Sequence, residues 1–279
     1  MPATKFKKGD KDIYENIFDG LSYYQTVGEV YHTNRSKAKV HRFYREAIEN
    51  KKNPKVLDIG CYIGTDVYML PKVRDDVEIW ASDVSEDAIA YAKKLAKMRK
   101  EKNIHFEVHD ANNPTKYKNN FFDAILCMEV IEHLHNPEGF LKEMKRILKK
   151  GGHLILTTPN EGYVMKYVEK VLPKSLSSSI EREREIDFSR HGASSEVDAH
   201  VWDHEAHISL MTFNFLSGIA KKVGFKLSGV EGSSFYGGSR FISDKPFLLG
   251  AAIIADSILD KFPLKPHLQM CMILKLEKP

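Results

Sequence analysis

The chain has 279 residues, 42% hydrophobic and 29% charged, which suits one large soluble domain or two small ones. With 42 Lys and Arg against 38 Asp and Glu the net charge is only +4, too mild for the clustered basic face of a dedicated nucleic-acid binder. The three cysteines, Cys61, Cys127 and Cys271, include no CxxC pair, which excludes a zinc ribbon or disulfide framework and makes a reducing, cytoplasmic compartment the expectation.

The opening "MPATKFKKGDKDIYENIF" has no apolar stretch of signal-peptide type. From Ser36 a helical period places Val40, Phe43, Tyr44, Ala47 and Ile48 on one face, and "KKNPK" ends it. "KVLDIG" reads as a short buried strand, followed by a short helix reaching about Leu70. The second strand is "VEIWAS", 77–82. Ser85 caps the next helix, with Glu86 and Asp87 in its first turn and Ala88, Tyr91, Leu95 and Met98 as its apolar stripe. Strands three and four are "IHFEVHD", 104–110, and "FFDAILCM", 121–128. Asn136 then caps a helix with Pro137 at its first position, and Gly151 stops it. "HLILTT", 153–158, is strand five. After about 45 residues of different character come a helix at 212–223, a strand "FKLSGV", an apolar run "PFLLGAAIIA" from Pro246 and a last strand at 268–276. The apolar run is about half of a membrane span.

Five successive strand–helix units predict a Rossmann-like α/β fold: seven mostly parallel strands, helices on both faces, and a lid insertion after strand five. No linker divides the chain, so a single domain is expected over 1–279, with a helical cover at 1–54, the insertion at 160–205, and a C-terminal helix and strand at 246–279. The start of that insertion carries Tyr163, Val164, Tyr167, Val168 and Val171 at helical spacing, suited to covering a greasy acceptor. The Pro246 helix suits a facing wall or a membrane contact.

In such sheets ligands gather where the strands end, near the reversal of strand order. Asp58, Gly60 and Gly64 follow strand one, Asp83 strand two, Asp110 strand three, and Met128 and Glu129 strand four. A carboxylate placed like Asp83 accepts from a ribose diol, and Asp110 suits an adenine amine. A dinucleotide turn also needs a middle glycine for the pyrophosphate, and Tyr62 occupies that place. The pattern therefore favours a nucleoside without phosphates, and disfavours a nicotinamide-dependent oxidoreductase.

With "VLDIGCYIG", "ASDVSEDAI", "VHDANN" and "CMEVIEHLHNP" in this order, the chain resembles the class I S-adenosylmethionine-dependent methyltransferases. The wording after strand four is most similar to the branch containing the O-methyltransferases of ubiquinone biosynthesis, and similar also to the small-RNA 2′-O-methyltransferases. The resemblance implies S-adenosylmethionine as cofactor. Gly60, with Cys61 and Gly64 in its turn, would lie along the methionine tail, and Asp58 beneath it near the amino group. Asp83 would bind the ribose and Val84 would pack on the adenine. Asp110 and Ala111 would flank the adenine edge, and Met128 would meet the cofactor.

The expected reaction is O-methylation of a small or lipid-like acceptor. An RNA acceptor and a non-catalytic cofactor-binding role are the alternatives. His133, with Glu132, is the expected catalytic pair, and His135 and His207 are further candidate bases. If "EVIEH" were one helical turn, Glu129, Glu132 and His133 would share a face and could hold a metal, which leaves the metal open. The acceptor and the oligomeric state are not written in these residues.

Overall fold

Seven runs rich in Ile, Val, Leu and Phe become one sheet in the computed structural model, which describes residues 27–69, 74–162, 208–234, 245–262, 267 and 269–279, with side chains from Arg35 onward. The strands are β1 (Lys55–Ile59), β2 (Glu78–Asp83), β3 (Ile104–Val108), β4 (Phe122–Met128), β5 (Leu148–Pro159), β6 (Lys226–Gly232) and β7 (Cys271–Glu277). Their order is β3-β2-β1-β4-β5-β7-β6. All neighbours are parallel except β7, which runs antiparallel to β5 and β6. Strand order reverses between β1 and β4, so the carboxyl ends of those two strands flank the expected crevice.

β4 is buried along nearly its whole length because helices cover both faces. Alternate residues feed two cores. Ala124 and Leu126 join one with Val40, Phe43, Tyr44, Ala47 and Ile48 of α1 (Val27–Ile48) and Ile89 of α2 (Glu86–Arg99). Ile125 and Cys127 join the other with Phe140, Leu141, Met144 and Ile147 of α3 (Pro137–Ile147) and Leu216 and Ala220 of α4 (Phe213–Val223). α5 (Pro246–Leu259) precedes β7.

Several local readings shift. α1 is already helical at Val27, well before Ser36, because isolated Ser, Thr and Asn cost only tenths of a kcal/mol in a helix and the five buried residues outweigh them. α2 buries Ala88, Ile89, Ala92 and Ala96, while Met98 is exposed, so its buried face is small and lets the helix lie close to the sheet. The helix expected to reach Leu70 is, over the described residues, a single 3-10 turn at Val67–Met69. Gly151 does not end α3. The helix stops at Ile147 and the chain enters β5 directly, with Gly151 at φ 67° where the β4–β5 register shifts. Residues 163–207, most of the expected insertion together with His207, lie outside the described residues.

α1 is tied down by charge as well as by its apolar face. Lys39 donates to the Gly232 carbonyl and to Asp260, each at 2.7 Å, and Arg35 donates to the Ser233 carbonyl at 2.8 Å. Burial lowers the Lys39 pKa from its ordinary value, against the pull of Asp260. The helix therefore spans from the β6 end to the turn after β1.

Candidate functional site

The turn after β1 is built on unusual backbone. Gly60 (φ 77°) and Gly64 (φ 80°) occupy the left-handed region that glycine enters freely. The Gly60 and Cys61 N–H groups both donate to the Ser82 carbonyl, at 2.8 and 2.9 Å, and the Gly64 N–H donates to the Cys61 carbonyl at 2.8 Å. A Cβ at Gly60 would sit 2.2 Å from a Val130 methyl, so the β1 turn closes directly on the residues after β4. Only glycine permits that approach at the reversal point of the sheet.

Tyr62 also has a positive φ, 48°, and its N–H donates to Asp83 Oδ2 at 2.7 Å. The middle position therefore asks for a left-handed backbone, not for missing bulk, because the Tyr62 side chain is 40% exposed. A side chain pays roughly 1–2 kcal/mol for that conformation. Tyr62→Gly is expected to stabilise the fold by about 1 kcal/mol, a rise of about 2–4 °C in the melting midpoint. A fall in that midpoint would mean that the ring's contacts outweigh the strain.

Asp58 lies in the buried part of β1, one residue before its end. It is 4% exposed, and among the described residues no donor hydrogen-bonds its carboxylate. Burial, then the charges of Asp66 and Asp83, push its pKa up to about 8, with Lys37 opposing. A nearly buried acid without a partner under a glycine turn fits an incoming ammonium group. Asp66 has the opposite state. Burial works against its charge, but His41 and Lys37, 3.3 and 3.2 Å away, hold its pKa below the usual range. Burial and the nearby acids keep the Cys61 thiol protonated.

Asp83 accepts from the N–H groups of Tyr62 and Ser85, at 2.7 and 3.0 Å. Two of roughly four lone-pair sites remain. Asp110 accepts one bond from the Asn112 N–H, one from its amide and one from Asn113, at 2.9, 3.1 and 3.0 Å, leaving one site. Val84 is an apolar side chain left 67% exposed beside Asp83. Ala111 is half-buried against one core, and Met128 packs on the other. These residues line the carboxyl ends of β1 to β4, as expected from their spacing.

The segment after β4 departs from a helical turn. Glu129 has φ 53°, and only Ile131–His133 form a 3-10 turn. Glu129 Oε1 accepts from Thr157 Oγ1 at 2.5 Å. Glu132 is fully buried, with Oε2 accepting from Thr158 Oγ1 at 3.0 Å, and burial raises its pKa above the usual carboxylate range. His133 is exposed. The Glu129 and Glu132 carboxyls lie against each other, and among the described residues no group of three or more His, Cys, Asp or Glu side chains is arranged to hold a metal. His135 donates its N–H to Asn112 at 3.1 Å and is exposed. Thr157, Thr158 and the α1 pair Lys37 and His41 belong to the site's frame. Nothing in their spacing marks them, because each meets its partner only through the fold.

A family model described as a methyltransferase domain matches residues 50–209. A ubiquinone biosynthesis O-methyltransferase of Acinetobacter baumannii is 27% identical over 128 residues, 43% of this chain and 53% of that protein. Another, from Pelagibacter ubique, is 35% identical over 130 residues, 44% of this chain and 52% of that protein. The chain thus spans about half the length of the curated relatives it matches. Among solved structures, phosphoethanolamine N-methyltransferase 2 of Haemonchus contortus, in complex with S-adenosyl-L-methionine, aligns with a TM-score of 0.55 at 17% identity, covering 87% of this chain and 52% of that one. At that identity the likeness is one of fold.

Proposed function

The chain belongs to the methyltransferase-domain family, and on that premise we propose that it transfers the methyl group of S-adenosylmethionine to an oxygen of a small, apolar or lipid-like acceptor. The observation that carries the cofactor assignment is Asp58, nearly buried and without a hydrogen bond among the described residues where β1 meets its turn. Its carboxylate takes the ammonium of the methionine tail, and the turn at Gly60 lies against that tail. The two free sites on Asp83 accept from the ribose hydroxyls. Val84 covers one face of the adenine, Met128 supports it, and Asp110 with Ala111 holds its edge.

The bound sulfonium supplies a methyl group with an excellent leaving group already in place. The chain's own task is then alignment, which can supply roughly 7–11 kcal/mol. His133, exposed at the end of the turn after β4, takes the proton from the acceptor hydroxyl. Glu132, its neighbour in the turn, supports the site from inside the core, where its carboxyl accepts from Thr158. The O-methyl assignment draws support from the ubiquinone O-methyltransferase relatives, and the long apolar helix before β7 suits a greasy acceptor.

Calorimetric titration with S-adenosylmethionine tests the cofactor site. Asp83→Ala should weaken binding tenfold or more, because the ribose contacts and the Tyr62 and Ser85 anchors go together. Unchanged affinity in a folded Asp83→Ala protein would refute the assignment.

A further inference from the structure

Carboxylates converge on the gap between the ends of β1 and β4. Burial, then Asp66 and Asp83, act on Asp58, and burial, then Glu132, Asp58 and Glu129, raise the Cys127 thiol that ends the buried part of β4. Lys37 and His41 reach the same gap from α1, and both bond to Asp66. His133 lies near enough to pull on the Glu129 charge. Asp58 and Asp83 have cofactor roles already, as partners of the tail ammonium and the ribose. Glu129 has none.

Glu129 is held in an uncommon posture. Its φ of 53° lies in the left-handed region, which a glutamate rarely enters and which gathers at functional sites. Its N–H donates to the Thr157 carbonyl at 3.2 Å and to Thr157 Oγ1 at 3.1 Å, and that hydroxyl donates in turn to Glu129 Oε1 at 2.5 Å. Thr157 therefore fixes both the backbone and the carboxylate. The side chain keeps access to solvent although protein closely surrounds its carboxyl. Against it lies the carboxyl of Glu132, fully buried, whose Oε1 has no hydrogen-bond partner among the described residues. Burial, then the Glu132 charge, raises the Glu129 pKa above the usual carboxylate range. A carboxylate raised in this way lacks a counter-ion, and an entering cation relieves it.

S-adenosylmethionine carries a cation besides its ammonium: the sulfonium, which joins the methionine tail to the ribose. With the ammonium at Asp58 and the ribose at Asp83, the sulfonium comes to rest over the Gly60 turn. The chain after β4 closes on that turn, since a Cβ at Gly60 would sit 2.2 Å from a methyl of Val130, the residue next to Glu129. We propose that Glu129, backed by Glu132, is the counter-ion of the sulfonium, so that the protein binds S-adenosylmethionine in preference to S-adenosylhomocysteine. In the transfer the methyl carbon bonds to the acceptor oxygen, the carbon–sulfur bond breaks with its electron pair left on sulfur, and the acceptor's proton passes to His133. The sulfur is then neutral, Glu129 loses its partner, and the product is held less tightly than the substrate. A divalent metal is a poorer occupant, because among the described residues no third ligand joins the pair. This inference rests on the methyl-transfer reading.

The test is calorimetric titration of the full chain with S-adenosylmethionine and with S-adenosylhomocysteine, both in the presence of EDTA. The two ligands share the tail ammonium and the ribose and differ in the methyl group and the charge on sulfur. S-adenosylmethionine should bind roughly tenfold more tightly, the lower end of what a nearby opposite charge does for a carboxylate. Glu129→Gln keeps an oxygen for Thr157 and should bring the two affinities to within about twofold, through weaker binding of S-adenosylmethionine. Asp58→Asn should weaken both ligands by the same factor and leave the preference in place. Equal affinities in the unmodified chain, tighter binding of S-adenosylhomocysteine, or a preference that survives Glu129→Gln would overturn the proposal. So would a preference that appears only when Mg²⁺ replaces EDTA, which would give the pair to a metal. Failure of both ligands to bind would overturn it together with the methyl-transfer reading, an outcome distinct from equal binding of the two.

Discussion

His133→Ala is expected to slow methyl transfer by about 10²–10⁴-fold, the range a positioned base contributes, while S-adenosylmethionine affinity stays within about twofold. The reason is division of labour. The proposed cofactor contacts come from the ends of β1 to β4, whereas His133 stands beyond them on the 3-10 turn, exposed where an acceptor can reach it. Single-turnover rates at saturating cofactor and acceptor separate this from a binding defect. A normal rate would remove His133 from the chemistry.

Asp58→Asn is expected to weaken cofactor binding by roughly 10- to 150-fold, because a hydrogen bond to a charged group is worth about 1.5–3 kcal/mol. Its pH behaviour is more diagnostic. The folded-state pKa of Asp58 is pushed up to about 8 by burial and by its acidic neighbours, well above an unfolded value of about 3.9. The native state therefore holds an extra proton between those two values. Its contribution to stability is fully present below the lower value and is lost as pH rises through the upper one. An ammonium partner favours the ionised form, so cofactor binding below pH 8 should release a proton and tighten as pH rises. Calorimetry in buffers of different ionisation enthalpy reads that proton directly. In Asp58→Asn the release should vanish, and the cofactor-free protein should melt higher at pH 7. Proton release that persists in the variant would move the titration to another group.

The parallel core and the strand-end acids were legible because both depend on local spacing. A buried strand of five to seven residues, a glycine turn and a carboxylate 19 residues beyond Gly64 repeat a periodic plan. What escaped was decided by single backbone angles and long-range pairs. The positive φ of Glu129 breaks the helical turn that the spacing of Glu129, Glu132 and His133 suggests, and no count of three or four residues could reveal it. Lys37 and His41 reach Asp66 across 29 and 25 residues. The meaning of Tyr62 inverted in the same way: what looked like a missing glycine is a side chain held in glycine's conformation by Asp83. The outward stripe of α5 could not be told from a core helix until Phe247 and Ile254 were seen exposed.

The central claim is methyl transfer to an oxygen, and it is tested most directly by incubating the protein with methyl-labelled S-adenosylmethionine and quinone precursors, phenols, carboxylates, lipids, sugars or RNA. The account predicts label on a hydroxyl oxygen of an apolar acceptor, with S-adenosylhomocysteine formed in equal amount. Label recovered in RNA, or in none of these acceptors while S-adenosylmethionine binds, would contradict it.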